Sequence, residues 1–262
     1  MDYVTVALAA LVVSALVLYS GFGLGTLLMP VFALFFPIPV AVASTAVVHL
    51  SNNVFKIVLV GRRANWHVVW LFGLPAAVLA ILGAVVLLQL SEIAPLMSYD
   101  LGGRTFDVTL LKLVVALLIF GFAAFELVPR FEKIEFPRQW IPLGGALSGF
   151  FGGLSGHQGA LRSAVLAKAG LSTESFVGTT SICAFLVDVS RLIVYGVTFF
   201  LADFGSVAEG NSIQLVGVAT VAAFIGTYIS SKFLRKITMS TIRTIVGVLL
   251  VAIGVALAAG LA

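Results

Sequence analysis

Polar and ionisable residues recur at helical spacing inside one long apolar stretch of this 262-residue sequence, residues 40–60. They lie at intervals of four, three and four positions: Thr45, His49, Asn52 and Lys56. A helix places such positions on one face, with Asn53 at its edge. Ionisable side chains are costly inside a membrane span and by default indicate a binding site or a proton pathway. We therefore expect Asn53 and Lys56 to bind substrate and His49 to be a candidate for proton coupling.

A second polar stripe lies in the apolar stretch 175–200. Asp188 and Arg191 are three residues apart, so they can pair on one helix surface. We expect Arg191 to bind substrate and Asp188 to be a second candidate for proton coupling. The alternative is structural: Asp188 and Arg191 neutralise each other, and Lys56 extends its ammonium group to the membrane edge.

Two glycine clusters would interrupt helices, because each glycine costs about 1 kcal/mol relative to alanine inside a helix. One cluster covers 20–25 and the other covers 152–159. Irregular backbone at membrane depth is tolerated only where it is buried in protein or lines a watery cavity. Helix N-termini beside such breaks bind anions through unpaired N–H groups. We expect substrate to contact the following residues at the two breaks: Ser20, Gly21, Gly23, Gly25, Ser155, Gly156, His157, Gln158 and Arg162.

Three polar side chains beside the second break favour a binding site over mere packing. Arg162 supplies a fixed positive charge that can hold an oxyanion in bidentate fashion. His157 is a third candidate for proton coupling, because histidine titrates near neutral pH. For Gly144, Gly145 and Gly149 we expect only close helix packing, which small residues provide in membranes.

The composition excludes several classes of protein. Hydrophobic residues make up 61% of the chain and charged residues only 10%, and the mean hydropathy is +1.17. A soluble domain carries about 25% charged residues, so a soluble enzyme and a nucleic-acid-binding protein are excluded despite the basic pI of about 9.4. The single Cys183 forms no internal disulfide and no metal-ligand cluster. We expect no cofactor and no metal.

Apolar stretches predict a helical membrane protein. They cover 3–20, 26–36, 40–60, 67–90, 106–128, 140–152, 159–170, 175–200, 212–232 and 241–261. The longer ones can cross about 30 Å of hydrocarbon as helices, whereas the three short ones beside the glycine clusters cannot. No Lys or Arg precedes the first stretch, so we expect it to be a retained helix and not a cleaved signal peptide.

Basic residues predict the topology. They concentrate in three connections that the positive-inside rule places in the cytoplasm. These connections contain Arg62 and Arg63, then Arg130, Lys133 and Arg138, then Lys232, Arg235 and Lys236. The connections 91–105 and 201–211 lack this excess, so we expect them, and both chain termini, to be external. The localisation that follows is the cell membrane.

The two halves of the chain match weakly at an offset of 135 residues. This shift places Ser20-Gly21 on Ser155-Gly156, Thr45 on Thr180, Gly61 on Gly196, Asn53 on Asp188 and Lys56 on Arg191. Gly61 is predicted inside and Gly196 outside, so the repeats are inverted, as in many secondary transporters. We therefore predict an all-α, polytopic protein with inverted repeats at 1–128 and 139–262. Each repeat would contain a broken or re-entrant hairpin and three transmembrane helices.

The small-residue motifs resemble those of the TauE/SafE family of membrane proteins, described as sulfite and organosulfonate exporters. In the first half the resemblance rests on Gly21-Phe-Gly-Leu-Gly25, Pro30 and Ala43-Ser-Thr45. In the second half it rests on Gly149-Phe-Phe-Gly-Gly-Leu-Ser-Gly156 and Gly178-Thr-Thr-Ser181. The chain departs from the family pattern at His157 and Gln158, which replace part of a glycine run. The resemblance implies ion-driven export of a small anion such as sulfite, a sulfonate or a carboxylate.

Other functions remain open at this stage. The sequence Gly153-Leu-Ser-Gly156 fits the motif of rhomboid-type intramembrane serine proteases, in which His49 would have to serve as base for Ser155. An anion channel is another alternative. The partners we expect are a small anion, a coupling ion, most simply a proton, and the lipid bilayer. The sequence does not give the oligomeric state.

Overall fold

The computed structural model describes residues 2–20, 25–34, 36–128, 130, 136–167, 169–201, 212–233 and 239–261. The described chain is mainly helical. In chain order the helices are α1 (Asp2–Ser20), α2 (Gly25–Ala33), α3 (Ile38–Val60), α4 (Trp66–Ser91), α5 (Leu110–Leu127), α6 (Ile141–Ser155), α7 (Gly159–Leu166), α8 (Thr173–Leu201), α9 (Ser212–Phe233) and α10 (Met239–Ala258). Each predicted apolar stretch thus corresponds to one helix, and the three short stretches form the short helices α2, α6 and α7.

Four helices in the described part of the chain are long and apolar enough to cross a membrane: α3, α4, α5 and α8. Many large apolar side chains on their outer faces are exposed, including Val58 at 78% and Leu117 at 70%. A water-soluble surface rarely presents so much contiguous apolar area, whereas a lipid-facing surface requires it. The observed surface therefore agrees with a multi-pass membrane protein.

The expectation of an all-α chain is wrong in the connection 91–105. Here Met97–Leu101 (β1) and Arg104–Val108 (β2) form an antiparallel hairpin in which Leu101 pairs with Arg104. Gly102 and Gly103 both have positive φ, as a two-residue hairpin turn requires. Strand β2 also takes the first residues of the apolar stretch 106–128. Helix α5 begins only at Leu110. The preceding residue, Thr109, caps the helix, because its side chain accepts a hydrogen bond from the backbone N–H of Lys112 (3.1 Å).

Helix α6, which precedes the second predicted break, packs closely against α4. Gly145, Gly149 and Gly153 lie four residues apart on α6, and a side chain at any of them would collide with a backbone carbonyl of α4. The packing role expected for Gly145 and Gly149 is confirmed. Helix α4 includes a π-helical turn at Val69–Gly73. Pro75 follows two residues after this turn and lacks the N–H that a regular helix would use there.

Helix packing brings the polar stripes together. Helix α3 packs against α8, α1 against α9, α4 against α6, and α5 against α10. Apolar side chains of α1, α2, α3, α5, α9 and α10 belong to one core, to which α4, α6 and α8 also contribute. A second core is formed mainly by α4, α6, α7 and α8. The crossing of α3 and α8 thus places their polar faces in the interior of the molecule.

Candidate functional site

A buried carboxylate on α8 lies at the centre of the polar cluster. Asp188 has no exposed surface and accepts hydrogen bonds from side chains of three separate segments. Its Oδ2 accepts from His49 Nδ1 (2.6 Å) and Asn53 Nδ2 (3.3 Å) of α3. Its Oδ1 accepts from Gln158 Nε2 (3.0 Å), which lies between α6 and α7. The sequence-predicted residues Asn53 and Asp188, which the offset of 135 relates, therefore contact each other directly.

Arg191 completes the coordination of this carboxylate. Its Nη2 and Nε donate to Asp188 Oδ1 at 2.6 and 3.1 Å, and its Nη1 donates to the carbonyl of Gly152 (3.0 Å). One helical turn later, the hydroxyl of Tyr195 donates to the carbonyl of Gly153. Arg191 and Tyr195 thus fasten the C-terminal end of α6 to α8. The expected pairing of Asp188 with Arg191 is confirmed.

The second break is shorter than the glycine cluster predicted. Helix α6 continues through Gly152 and Gly153 to Ser155, because both glycines allow close contact with neighbouring helices. The helix ends at Gly156, whose φ of 78° is left-handed, so only 156–158 interrupt the chain before α7 begins. A side chain at Gly156 would also crowd Arg191.

Gln158 connects this break to the charged cluster. The hydroxyl of Ser148 donates to the Gln158 carbonyl (2.8 Å), which fixes the backbone of the break. The Gln158 side chain donates to Asp188 and accepts from Arg162 Nη1 (3.0 Å). Gln158 therefore orients a guanidinium group in the interior of the protein.

Positive charge exceeds negative charge in this cluster. Arg162 is only 5% exposed, and its Nε has no hydrogen-bond partner among the described residues. Lys56 is half-buried and close enough to Arg162 for the two positive charges to repel each other. Asn52, on the same face of α3 as Lys56, has a buried amide oxygen that also lacks a partner in the described chain. Arg191 and Arg162 thus both act on the carboxylate of Asp188, and Lys56 adds a third positive charge near Arg162.

His157 points into a different environment from His49. Its ring stacks in parallel on Phe122 of α5, with a centroid separation of 5.1 Å and an angle of 8°. Its Nδ1 donates to the carbonyl of Ser155 (2.8 Å). His157 therefore packs against α5, whereas His49 hydrogen-bonds to Asp188.

The residues predicted at the first break are only partly described. Gly21 and Gly23 lie outside the described residues, as does the side chain of Ser20, the last residue of α1. Gly25 is the first residue of α2. Helix α2 contacts α7, and Met29 of α2 lies beside Gly156. The short helices that follow the two breaks therefore meet.

Sequence reasoning missed several buried polar residues. Glu126 on α5 is 7% exposed, although an acid within the helical part of the apolar stretch 106–128 was a usable signal. Ser148 and Tyr195 hold the break through the hydrogen bonds described above. Their role depends on backbone carbonyls, which carry no sequence signal.

The geometry does not favour a serine protease. His49, the required base, contacts Asp188, and the hydroxyl of Ser155 donates to the Phe151 carbonyl of its own helix (3.0 Å). The neighbouring His157 Nδ1 donates to a carbonyl and so is not free to accept the serine proton. Among the described residues, no group of three or more His, Cys, Asp or Glu is placed to hold a metal ion.

Fold and site together define a multi-pass membrane protein with a buried, charged site beside a broken helix, which is the architecture of a transporter. A family model described as "Sulfite exporter TauE/SafE" matches residues 6–257, nearly the whole chain. The chain therefore belongs to the TauE/SafE sulfite exporter family, whose members are transporters and not enzymes. No curated protein and no solved structure matches it significantly.

Proposed function

We propose that this protein is a secondary-active exporter of a small anion, such as sulfite, a sulfonate or a carboxylate. The observation that carries the proposal is the excess of positive charge at the buried cluster. Two buried cations, Arg162 and Arg191, share the carboxylate of Asp188, and Lys56 adds positive charge near Arg162. Uncompensated buried charge is strongly unfavourable. An anion would restore the balance, so the family assignment and the charge count support the same class of substrate.

The proposed anion site lies between Arg162 and Lys56. Arg162 Nε is a donor without a partner in the described chain, and the positive charge of Lys56 acts on the same region. The backbone N–H groups at the start of α7 and the break residues Gly156 and Gln158 would add further polar contacts. Ser20, Gly21, Gly23 and Gly25 are proposed to contribute from the first break. Asn53, Ser155 and His157 complete the proposed set.

In this proposal Arg191 acts mainly by positioning. Its three nitrogen atoms already donate to Asp188 and Gly152, so substrate reaches it only if that network rearranges. The network then holds α6, α8 and the break in one arrangement. Rearrangement between two such arrangements is how we propose that access alternates across the membrane.

Helix pairing supports inverted repeats, proposed at 1–128 and 139–262. The offset of 135 maps α1 onto the region of α6 and α9 onto that of α4. Helix α1 packs on α9, just as α6 packs on α4. The pairs α3–α8 and α5–α10 each map onto themselves, as contacts across a two-fold axis would. The positive-inside rule supports the opposite orientations of the two repeats and external termini.

We propose coupling to protons through His49 and Asp188. Their hydrogen bond is short, and the charge of Arg162 acts on His49. An anion beside Arg162 would offset that charge, so binding of an anion and binding of a proton would favour each other. His157 is the alternative proton site, because it is buried beside the break.

A flux assay with a charge-matched control tests the proposal. Arg162→Gln, reconstituted in proteoliposomes, should reduce sulfite or sulfonate transport about 10- to 100-fold, because a hydrogen bond to a charged group contributes about 1.5–3 kcal/mol. Arg104→Gln removes one charge from the exposed hairpin and should leave transport unchanged. Undiminished transport by folded Arg162→Gln would contradict the proposal.

The same proteoliposomes distinguish a carrier from a channel and test the coupling. Unlabelled substrate on the opposite side accelerates exchange only in a carrier. An imposed pH gradient should drive net transport by the wild type. His49→Gln should retain anion binding but lose the response to the gradient, whereas a response that persists would point to His157.

A further inference from the structure

A groove on the outer surface lies where α3 ends and α4 begins. Its volume is about 770 Å³, within the roughly 300–1,000 Å³ typical of ligand pockets. Its lining comes from α3, α4, α8 and the turn after α3, and includes Val58, Arg62, Trp66, Trp70 and Phe185. The groove lies on the face of α3 opposite the buried polar stripe, so it is separate from the proposed anion site.

The lining combines one cation with an otherwise apolar surface. Among the described residues that line the groove, only Arg62 is charged, and it is exposed at the end of α3 predicted to be cytoplasmic. Val58 is 78% exposed, and Trp66 and Trp70 lie side by side with ring centroids 6.5 Å apart. Exposed tryptophans are typical of the boundary between lipid tails and headgroups.

Arg62 and the neighbouring Arg63 differ in whether they form an ion pair. Arg63 Nη1 lies 3.3 Å from Glu174 Oε2, so its charge is balanced within the protein. Arg62 has no such ion pair in the described chain, and its charge borders the apolar groove. A ligand that matches both features has a phosphate next to a hydrocarbon chain.

We propose that this groove is a binding site for an anionic phospholipid, whose acyl chain lies along Val58 and whose phosphate is held by Arg62. The inference is independent of what the protein transports. Helices α3 and α8 form two of its walls and also carry the polar cluster. The bound lipid therefore lies directly against the two helices that position Asp188.

Lipid binding to the purified full-length protein tests this proposal. Native mass spectrometry in detergent should show tighter binding of phosphatidylglycerol than of phosphatidylcholine with identical acyl chains. Arg62→Gln should weaken phosphatidylglycerol binding about fivefold and abolish this preference, because one cationic contact contributes that much to binding of an anionic lipid surface. Arg62→Lys should retain the preference.

Two further variants test whether the lipid binds at this groove and not elsewhere on the surface. Arg63→Gln removes the same charge one residue away and should leave the preference unchanged. Val58→Trp fills the groove at an exposed position and should weaken binding of both lipids. Inorganic phosphate should stabilise the wild type and Arg62→Gln to the same extent in a thermal-shift assay, because the anion site proposed above is separate from the groove.

Any of four results would overturn the proposal. These are equal binding of the two lipids by the wild type, equal losses in Arg62→Gln and Arg63→Gln, unchanged lipid binding in Val58→Trp, and stabilisation by inorganic phosphate that Arg62→Gln removes. A fifth result, dimer formation that buries the groove and excludes phosphatidylglycerol, would overturn it in favour of a second copy as the occupant.

Discussion

Replacing Asp188 by asparagine is the most direct test of the charged network. The change keeps the shape of the side chain but removes its charge, which leaves Arg191 buried without a counterion. Removing one partner of a buried ion pair costs about 3–5 kcal/mol. We expect the free energy of unfolding to fall by that amount.

The hydrogen bonds to Asp188 give a similar estimate of the loss in the free energy of unfolding. The carboxylate accepts from five donors, which belong to His49, Asn53, Gln158 and Arg191. Whichever way an asparagine amide is turned, its NH₂ group faces donors that previously had an acceptor. Two unmatched buried donors at about 1–3 kcal/mol each account for about 2–6 kcal/mol.

Equilibrium unfolding in mixed micelles with increasing SDS measures this loss. A double-mutant cycle with Arg191→Met provides the control, because removing both charges avoids the isolated cation. The double variant should lose less stability than the sum of the single variants, with a coupling energy of about 1–3 kcal/mol. A loss below about 1 kcal/mol for Asp188→Asn, or strict additivity, would refute the reasoning.

Two smaller predictions concern the helix interfaces. Gly149→Ala should destabilise the protein by about 1–3 kcal/mol, because the added methyl group collides with the backbone of Ala76. Gly121→Ala, which has open space around it, should instead stabilise its helix slightly, so equal effects in SDS unfolding would contradict the packing argument. Tyr99→Phe removes the hydrogen bond from the hairpin to the Ala259 carbonyl and should cost about 1 kcal/mol in the same assay. An unchanged unfolding curve would contradict it.

The helices could be predicted because apolar stretches in a membrane protein report burial in lipid directly. The hairpin of β1 and β2 was not predicted, although Gly102-Gly103 between two short alternating segments is a hairpin signal. Its exposed strands carry mixed polar and apolar residues, so hydropathy alone did not distinguish them from a loop. The exact length of the second break also escaped prediction, since glycine both interrupts helices and allows them to approach closely.

The site could be predicted in part. Spacing placed His49 and Asn53 on one helix face and Asp188 beside Arg191, and the structure brings these four residues together. Spacing did not show that His157 lies apart from these four residues and stacks on Phe122. The side chain after a left-handed glycine can point in several directions.

The sequence by itself determined that this chain is a membrane protein and which polar residues lie within its apolar stretches. Both follow from local chemistry, because an apolar composition requires a lipid environment and helical spacing determines which residues share a helix face. Tertiary structure alone decided which further partners the buried charges have. Spacing predicts the pair of Asp188 and Arg191, but only the packing of α6 on α8 brings the carbonyl of Gly152 to Arg191. Arg162 retains an unmatched donor, because contacts between residues distant in the chain depend on how the helices cross.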